Sequence, residues 1–227
     1  MIAELLNISK VYEKPGSGIQ QRVLDDISLQ ITESDTLAII GPSGSGKSTF
    51  LNILGTLDRP SSGTLLLQGQ LINPDDSPSL AYIRNKCVGF VFQLHHLLPQ
   101  LSLLENILLP TLPIKSLKEK QLAAERAVRL IERVGLQSHL LHNPSQLSVG
   151  ECQRAAVVRA LVNQPKLLLA DEPTGSLDAE NAEQLASLLL DLRKEQNFAI
   201  VAVTHSLELA SKMDKVYKLS SGKLLTT

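Results

Sequence analysis

The residues Gly41-Pro42-Ser43-Gly44-Ser45-Gly46-Lys47-Ser48-Thr49 fit the spacing Gly-x-x-x-x-Gly-Lys-[Ser/Thr] of a phosphate-binding loop. The glycines let backbone N–H groups turn toward phosphate oxygens without a Cβ in the way. A helix starting just after the loop adds a favourable potential for an anion. Lys47 has the reach to meet the β- and γ-phosphates of a nucleoside triphosphate, and the Ser48 hydroxyl is a ligand for Mg²⁺. The apolar run Thr36–Ile40 immediately before the loop reads as a strand, the context that separates such a loop from an ordinary Gly/Ser turn.

A second group follows far downstream, where Leu167-Leu168-Leu169-Ala170 runs into Asp171-Glu172. Taken alone, this is either a strand-end acid pair closed by Pro173 or a pair with work to do. Beside a phosphate loop, Asp171 is placed to hold Mg²⁺, through water, as the matching acid does in P-loop NTPases. Glu172 is then placed to polarise an attacking water, which asks of a carboxylate only hydrogen-bond reach and orientation. Ahead of this strand lies Leu147-Ser148-Val149-Gly150-Glu151, directly before Gln153-Arg154 and a helix-like stretch that runs to Asn163.

The elements that must position these residues are legible in outline. Continuous apolar runs at Thr36–Ile40, 88–92, 166–170 and 198–204 read as strands buried on both faces, as in a parallel sheet flanked by helices. The earlier runs 2–11, 23–31 and 63–67 read as an antiparallel layer, with turn signals at 14–18 and 60–63. From 94 to 165 the pattern is helical. Ser116-x-x-Glu119 is a capping-box signature, Ala123, Ala127, Leu130, Ile131 and Val134 share one face, and Gly135 is placed to end that helix.

The bulk properties bound the partners. The chain has 227 residues and 43% hydrophobic content, enough for a sizeable core in a single domain, 1–227, with a helical subdomain at about 94–165. Twenty-two basic against twenty-three acidic residues, with no basic arm, argue against nucleic acid as a partner. Cys87 and Cys152 lack metal-type spacing, so neither a zinc site nor a disulfide framework is expected. The N-terminus lacks a basic region of the secretory kind, and no apolar run approaches the roughly 20 residues that cross a bilayer. A soluble chain is expected, reaching a membrane only through partners.

With these motifs in order, the chain resembles the ATPase subunits of ABC transporters over essentially its whole length. Leu147-Ser148-Val149-Gly150-Glu151 is similar to the family signature Leu-Ser-Gly-Gly-Gln/Glu. Gln93 matches the Q-loop residue that contacts Mg²⁺, Ser176-Leu177-Asp178 the D-loop, and His205 the switch histidine; Tyr12 sits where the family stacks a ring on adenine. Each has a plainer reading by residue type: a surface glutamine, a loop histidine, an edge aromatic, and for Asp178 an N-cap of a helix at 179–194. The resemblance implies an α/β fold of P-loop ABC ATPase type. It has a mostly parallel sheet core, an antiparallel β layer and an inserted α-helical subdomain. It also implies ATP and Mg²⁺ as ligands and two transmembrane permease subunits as partners. The third partner is a second copy of the chain, which places Ser148 and the Gly150 N–H against the γ-phosphate held by the opposite phosphate loop.

Two departures bear on the signature. Val149 replaces its first glycine and would be strained if that position needed positive φ; with Ser148 and Gly150 kept, ordinary helical φ is expected. Cys152 stands where relatives carry a basic residue. The segment Phe92-Gln93-Leu94-His95-His96-Leu97-Leu98-Pro99 resembles the lipoprotein-releasing branch of the family, whose ATPases sit on the cytoplasmic face of the bacterial inner membrane. The adjacent histidines project differently and have no carboxylate nearby in sequence, which favours a partner-contacting or solvated loop over a metal site. Exporter and cell-division ATPases share the general layout. Non-transport ABC ATPases usually add coiled coils, tandem halves or basic extensions, and a small-molecule kinase would have no use for the signature or His205.

Overall fold

The computed structural model describes residues 1–13, 16 and 20–226. The turn signal at 14–18 lies, Gly16 apart, outside the described residues. Two sheets form from opposite patterns. Strands β1 (Ala3–Glu13), β2 (Gln20–Ile31), β4 (Ser62–Leu67) and β5 (Gln70–Leu71) pair antiparallel in the order β2-β1-β4-β5. The central sheet takes β3 (Thr36–Ile40), β6 (Val88–Val91), β7 (Leu167–Asp171), β8 (Ala199–Val203), β9 (Lys215–Ser220) and β10 (Lys223–Thr226), in the order β10-β9-β3-β8-β7-β6. All of its pairings are parallel except β10 with β9.

The continuous apolar strands have a direct physical consequence. Successive side chains point to opposite faces, so each strand feeds two cores. Leu37 and Ile39, Leu167 and Leu169, and Val201 and Val203 pack with the antiparallel sheet and helix α1 (Lys47–Leu54). Ala38, Leu168, Ala170 and Ala202 pack on the other face, against helices of the 94–165 stretch and α6 (Ala179–Gln196). That stretch carries α3 (Leu103–Leu108), α4 (Leu117–Arg133) and α5 (Val149–Leu161), joined by short 3₁₀ turns. Helix α2 (Ser77–Cys87) precedes β6, and α7 (Leu207–Ser211) follows β8.

Strand ends differ from the sequence reading by one or two residues: 88–92 ends at Val91, 166–170 moves to Leu167–Asp171, and 198–204 contracts to Ala199–Val203. Gly135 ends α4 as expected. With φ +72° its N–H reaches the Glu132 carbonyl while the Leu136 N–H reaches Ile131, both orphan carbonyls being met by a Schellman turn. The capping box at Ser116 is only half made. Ser116 accepts from the Glu119 N–H, but the Glu119 carboxylate turns instead toward the Lys86 ammonium, 4.0 Å away. The reciprocal box forms at Ser102–Glu105 and Ser148–Glu151. Helix α2 has no strong sequence signal because only Ile83 of it is buried.

Candidate active site

The phosphate loop leaves β3 and closes on α1, whose N-cap Gly46 has φ +101°, a conformation that favours glycine. A Cβ at Gly46 would also meet the Val23 carbonyl at 2.9 Å, so β2 seals the loop from outside. At the other end, a Cβ at Gly41 would meet the Leu219 carbonyl at 2.3 Å, so this residue type lets the loop lie against β9. The Lys47 ammonium is folded into the loop, donating to the carbonyls of Gly41 (2.9 Å) and Pro42 (3.2 Å).

Ser43, Gly44, Gly46, Lys47, Ser48, Thr49, Gln93, Asp171, Glu172 and His205 line one cleft of about 680 Å³, together with Val23 and Gly175. Residues more than 150 positions apart meet there because β3, β7 and β8 are neighbours and all run in the same direction. Their C-terminal ends therefore open on one edge, where open α/β sheets bind ligands. Val23 and Gly175 were not anticipated. Val23 arrives by packing of the separate antiparallel sheet, which leaves no local signal; a Cβ on Gly175 would meet Gln93 Nε2 at 3.2 Å.

The Ser48 hydroxyl lies 3.3 Å from Asp171 Oδ1. Burial pushes the Asp171 carboxyl above the ordinary carboxylate value, with the charge of Glu172 adding to the rise and Ser48 and Lys47 opposing it. Glu172 follows the strand in a left-handed conformation, φ +46°, and its own N–H donates to the Val203 carbonyl. Its Oε2 accepts from the His205 N–H at 3.0 Å, and Oε1 lies 3.3 Å from His205 Nε2. That second contact is not a hydrogen bond. Lys47 Nζ lies 3.1 Å from the same Nε2 and has only protons to give, so Nε2 accepts from it. Oε1 is thereby left without a protein donor among the described residues.

No group of three or more His, Cys, Asp or Glu side chains among the described residues forms a metal site. Ser48 with Asp171 is a partial oxygen set, and that suits Mg²⁺, which binds through one or two protein oxygens, phosphates and water.

The remaining predicted residues stand outside the cleft. Tyr12 is 41% exposed on β1, and its hydroxyl donates to Asp58 Oδ2 at 2.6 Å. Asp58 also takes the Lys10 ammonium at 2.7 Å. Ser148 caps α5: its hydroxyl accepts from the Glu151 N–H at 3.3 Å and donates to Glu151 Oε2 at 2.8 Å. Gly150 is the second residue of α5, where a Cβ would meet Asn181 Oδ1 at 3.2 Å, and Asp178 caps α6 by accepting from that asparagine's N–H at 2.9 Å. Val149 opens α5 with no positive φ and is 52% exposed, so the departure from glycine brings no backbone strain. Cys152 is buried with its thiol toward the Pro144 carbonyl, where a basic side chain has no room to be solvated.

Residues 24–175, most of the chain and all of this cleft except His205 and Val23, match the ABC transporter family. The chain belongs to the ABC transporter family. This ABC ATPase is 46% identical over 217 residues to the lipoprotein-releasing system ATP-binding protein LolD of Shewanella denitrificans, covering 96% of the chain and 91% of the relative. It is 45% identical over 221 residues to LolD of Legionella pneumophila strain Paris, covering 97% and 96%. Among solved structures it is similar to the ATP-binding cassette MJ0796 as a dimer in a post-hydrolysis state bound to ADP and Pi, with 36% identity, TM-score 0.85, and 98% and 96% of the two chains covered. A second dimeric structure of MJ0796, a bacterial ABC transporter cassette, gives TM-score 0.87 at the same identity and coverage. The ABC ATPase thus binds and hydrolyses ATP in an α/β P-loop fold. None of its described helices is long and apolar enough to cross a membrane.

Proposed function

We propose that this chain is the ATP-hydrolysing subunit of an inner-membrane transporter that releases lipoproteins toward the outer membrane. The carrying observation is near-full-length similarity, at 44–46% identity, to LolD proteins. The chain then sits on the cytoplasmic face of the membrane and passes its motion to two permease subunits. The tethered segment His95-His96 supports a partner contact there: Arg159 fixes its backbone by donating to both carbonyls at 2.6 Å. Affinity purification from membranes tests the assignment. Co-purifying permeases with large lipoprotein-binding domains outside the cytoplasm are expected, and a nutrient-importer permease would overturn it.

For the chemistry, backbone N–H groups of 43–49 and the Lys47 ammonium take the phosphates of ATP, and Tyr12 stacks on adenine. Ser48, Asp171 and Gln93 hold Mg²⁺, which when bound neutralises charge on the phosphate oxygens. Glu172 is the general base. The His205 N–H fixes one of its oxygens, and the other, Oε1, is buried beside the cleft with no protein donor among the described residues, so it keeps its capacity to accept a proton from a water brought within reach. The signature completes the site from a second copy. Ser148, Gly150 and Glu151 do not line the phosphate cleft of their own chain, and the N-terminus of α5 is an anion-seeking end. Asp178, beside Gly150 through Asn181, belongs to the same dimer face.

A further inference from the structure

Helix α5 grips the chain on both sides of Gln93. Gln153, fully buried at 0% exposure, donates its Nε2 to the Phe92 carbonyl at 2.8 Å. Beyond Gln93, Arg159 donates to the carbonyls of His95 and His96. The Phe92 carbonyl lies just past β6, the edge strand of the central sheet, so the ladder offers it nothing. Gln153 is also a costly way to satisfy it. Its Oε1 meets no donor among the described residues, whereas the buried amide of Asn106 is engaged at both ends. A buried acceptor left unmatched by the protein loses stability relative to an apolar side chain of the same size.

We propose that Gln153 is a positioning residue for ATP hydrolysis: by holding Phe92 it sets the reach of the Gln93 amide into the phosphate cleft, so that α5 and Gln93 shift as one unit. A displacement of the Ser148 end of α5 by the nucleotide of a partner copy is then felt at Gln93 without any contact between the two. The inference rests on the assignment of Gln93 to the ATP site.

The test uses the full-length chain purified with its membrane partners and compares Gln153→Met, Gln93→Ala and the double variant. Gln153→Met keeps the volume and removes the donor. It is expected to lower kcat about tenfold, the worth of one neutral hydrogen bond, with KM for ATP within about twofold. Its melting temperature is expected to change little, because losing the bond to the Phe92 carbonyl and losing the unmatched Oε1 act in opposite directions. The double variant is expected to be no slower than Gln93→Ala alone, because both losses act through one residue. Arg159→Lys probes the other side of Gln93 and follows the same non-additive pattern if Gln153→Met does not accumulate. An unchanged kcat in Gln93→Ala would overturn the assignment of Gln93 and this inference together. A slow Gln93→Ala with a Gln153→Met of normal kcat, or with losses that multiply, overturns the inference alone.

Discussion

Glu172 and His205 are locked together through a backbone bond: the His205 N–H donates to Glu172 Oε2 at 3.0 Å, and the imidazole itself is turned to Lys47. The carboxylate is thereby oriented by the loop after β8, whereas its own backbone follows β7 in a left-handed turn. Two adjacent parallel strands thus determine where one oxygen points.

If the other oxygen of that carboxylate, Oε1, is the base, Glu172→Gln removes the proton acceptor and keeps the shape. ATP hydrolysis is expected to fall by about 10²- to 10⁴-fold while ATP binding persists and a nucleotide-bound dimer accumulates. Steady-state ATPase assays and size-exclusion chromatography in saturating ATP check this. A variant that stays monomeric with its permeases present contradicts the sandwich.

Val149 at the first turn of α5 carries no strain, so Val149→Gly has little to relieve. Its ATPase rate is expected within about threefold of the native protein, with stability lowered by no more than ~1 kcal/mol from added backbone freedom. A rate higher by several orders of magnitude would show that the native signature is crippled.

Asp171 sets stability against activity. Its folded carboxyl lies above the ordinary 3.8, chiefly through burial. A raised value gives stability that is whole below the unfolded pKa and is lost as pH rises through the folded one. At neutral pH the charged group is therefore a cost. Asp171→Asn is expected to raise the nucleotide-free melting temperature at pH 7, the gain vanishing below about pH 4, while Mg²⁺-dependent hydrolysis falls at least about a hundredfold. A melting temperature that drops equally at both pH values counts against this account.

Tyr12 separates stacking from tethering. Burial and the acceptance of its proton by Asp58 hold its hydroxyl above the ordinary phenol value, so it stays a donor at physiological pH. If the ring stacks on adenine, Tyr12→Ala weakens ATP binding about tenfold and Tyr12→Phe changes it by less than about twofold. Equal losses in both, measured by nucleotide titration, would assign the effect to the Asp58 tether.

The strands were legible where burial on both faces forces unbroken apolar runs, as in Leu167–Asp171 and Ala199–Val203. Their ends were not, because the last residue of a parallel strand is set by its neighbour's register. Ser116-x-x-Glu119 and Ser148-x-x-Glu151 carry the same local pattern, yet one Glu turns to Lys86 and the other completes its box. A partner from a distant helix decides that, and no window of sequence contains it.

By itself, the sequence determined the phosphate loop, the acid pair and the signature, because each needs fixed residue types at fixed short spacing. Tertiary structure alone decided that Lys47 takes Nε2 of His205 and so leaves Glu172 Oε1 without a donor among the described residues. It likewise decided that Tyr12 is tied to Asp58, and that Gln153 reaches the carbonyl before Gln93. The reason is physical: a hydrogen bond depends on distances of a few tenths of an ångström between groups far apart in the chain, and only the packing of sheet and helices sets those.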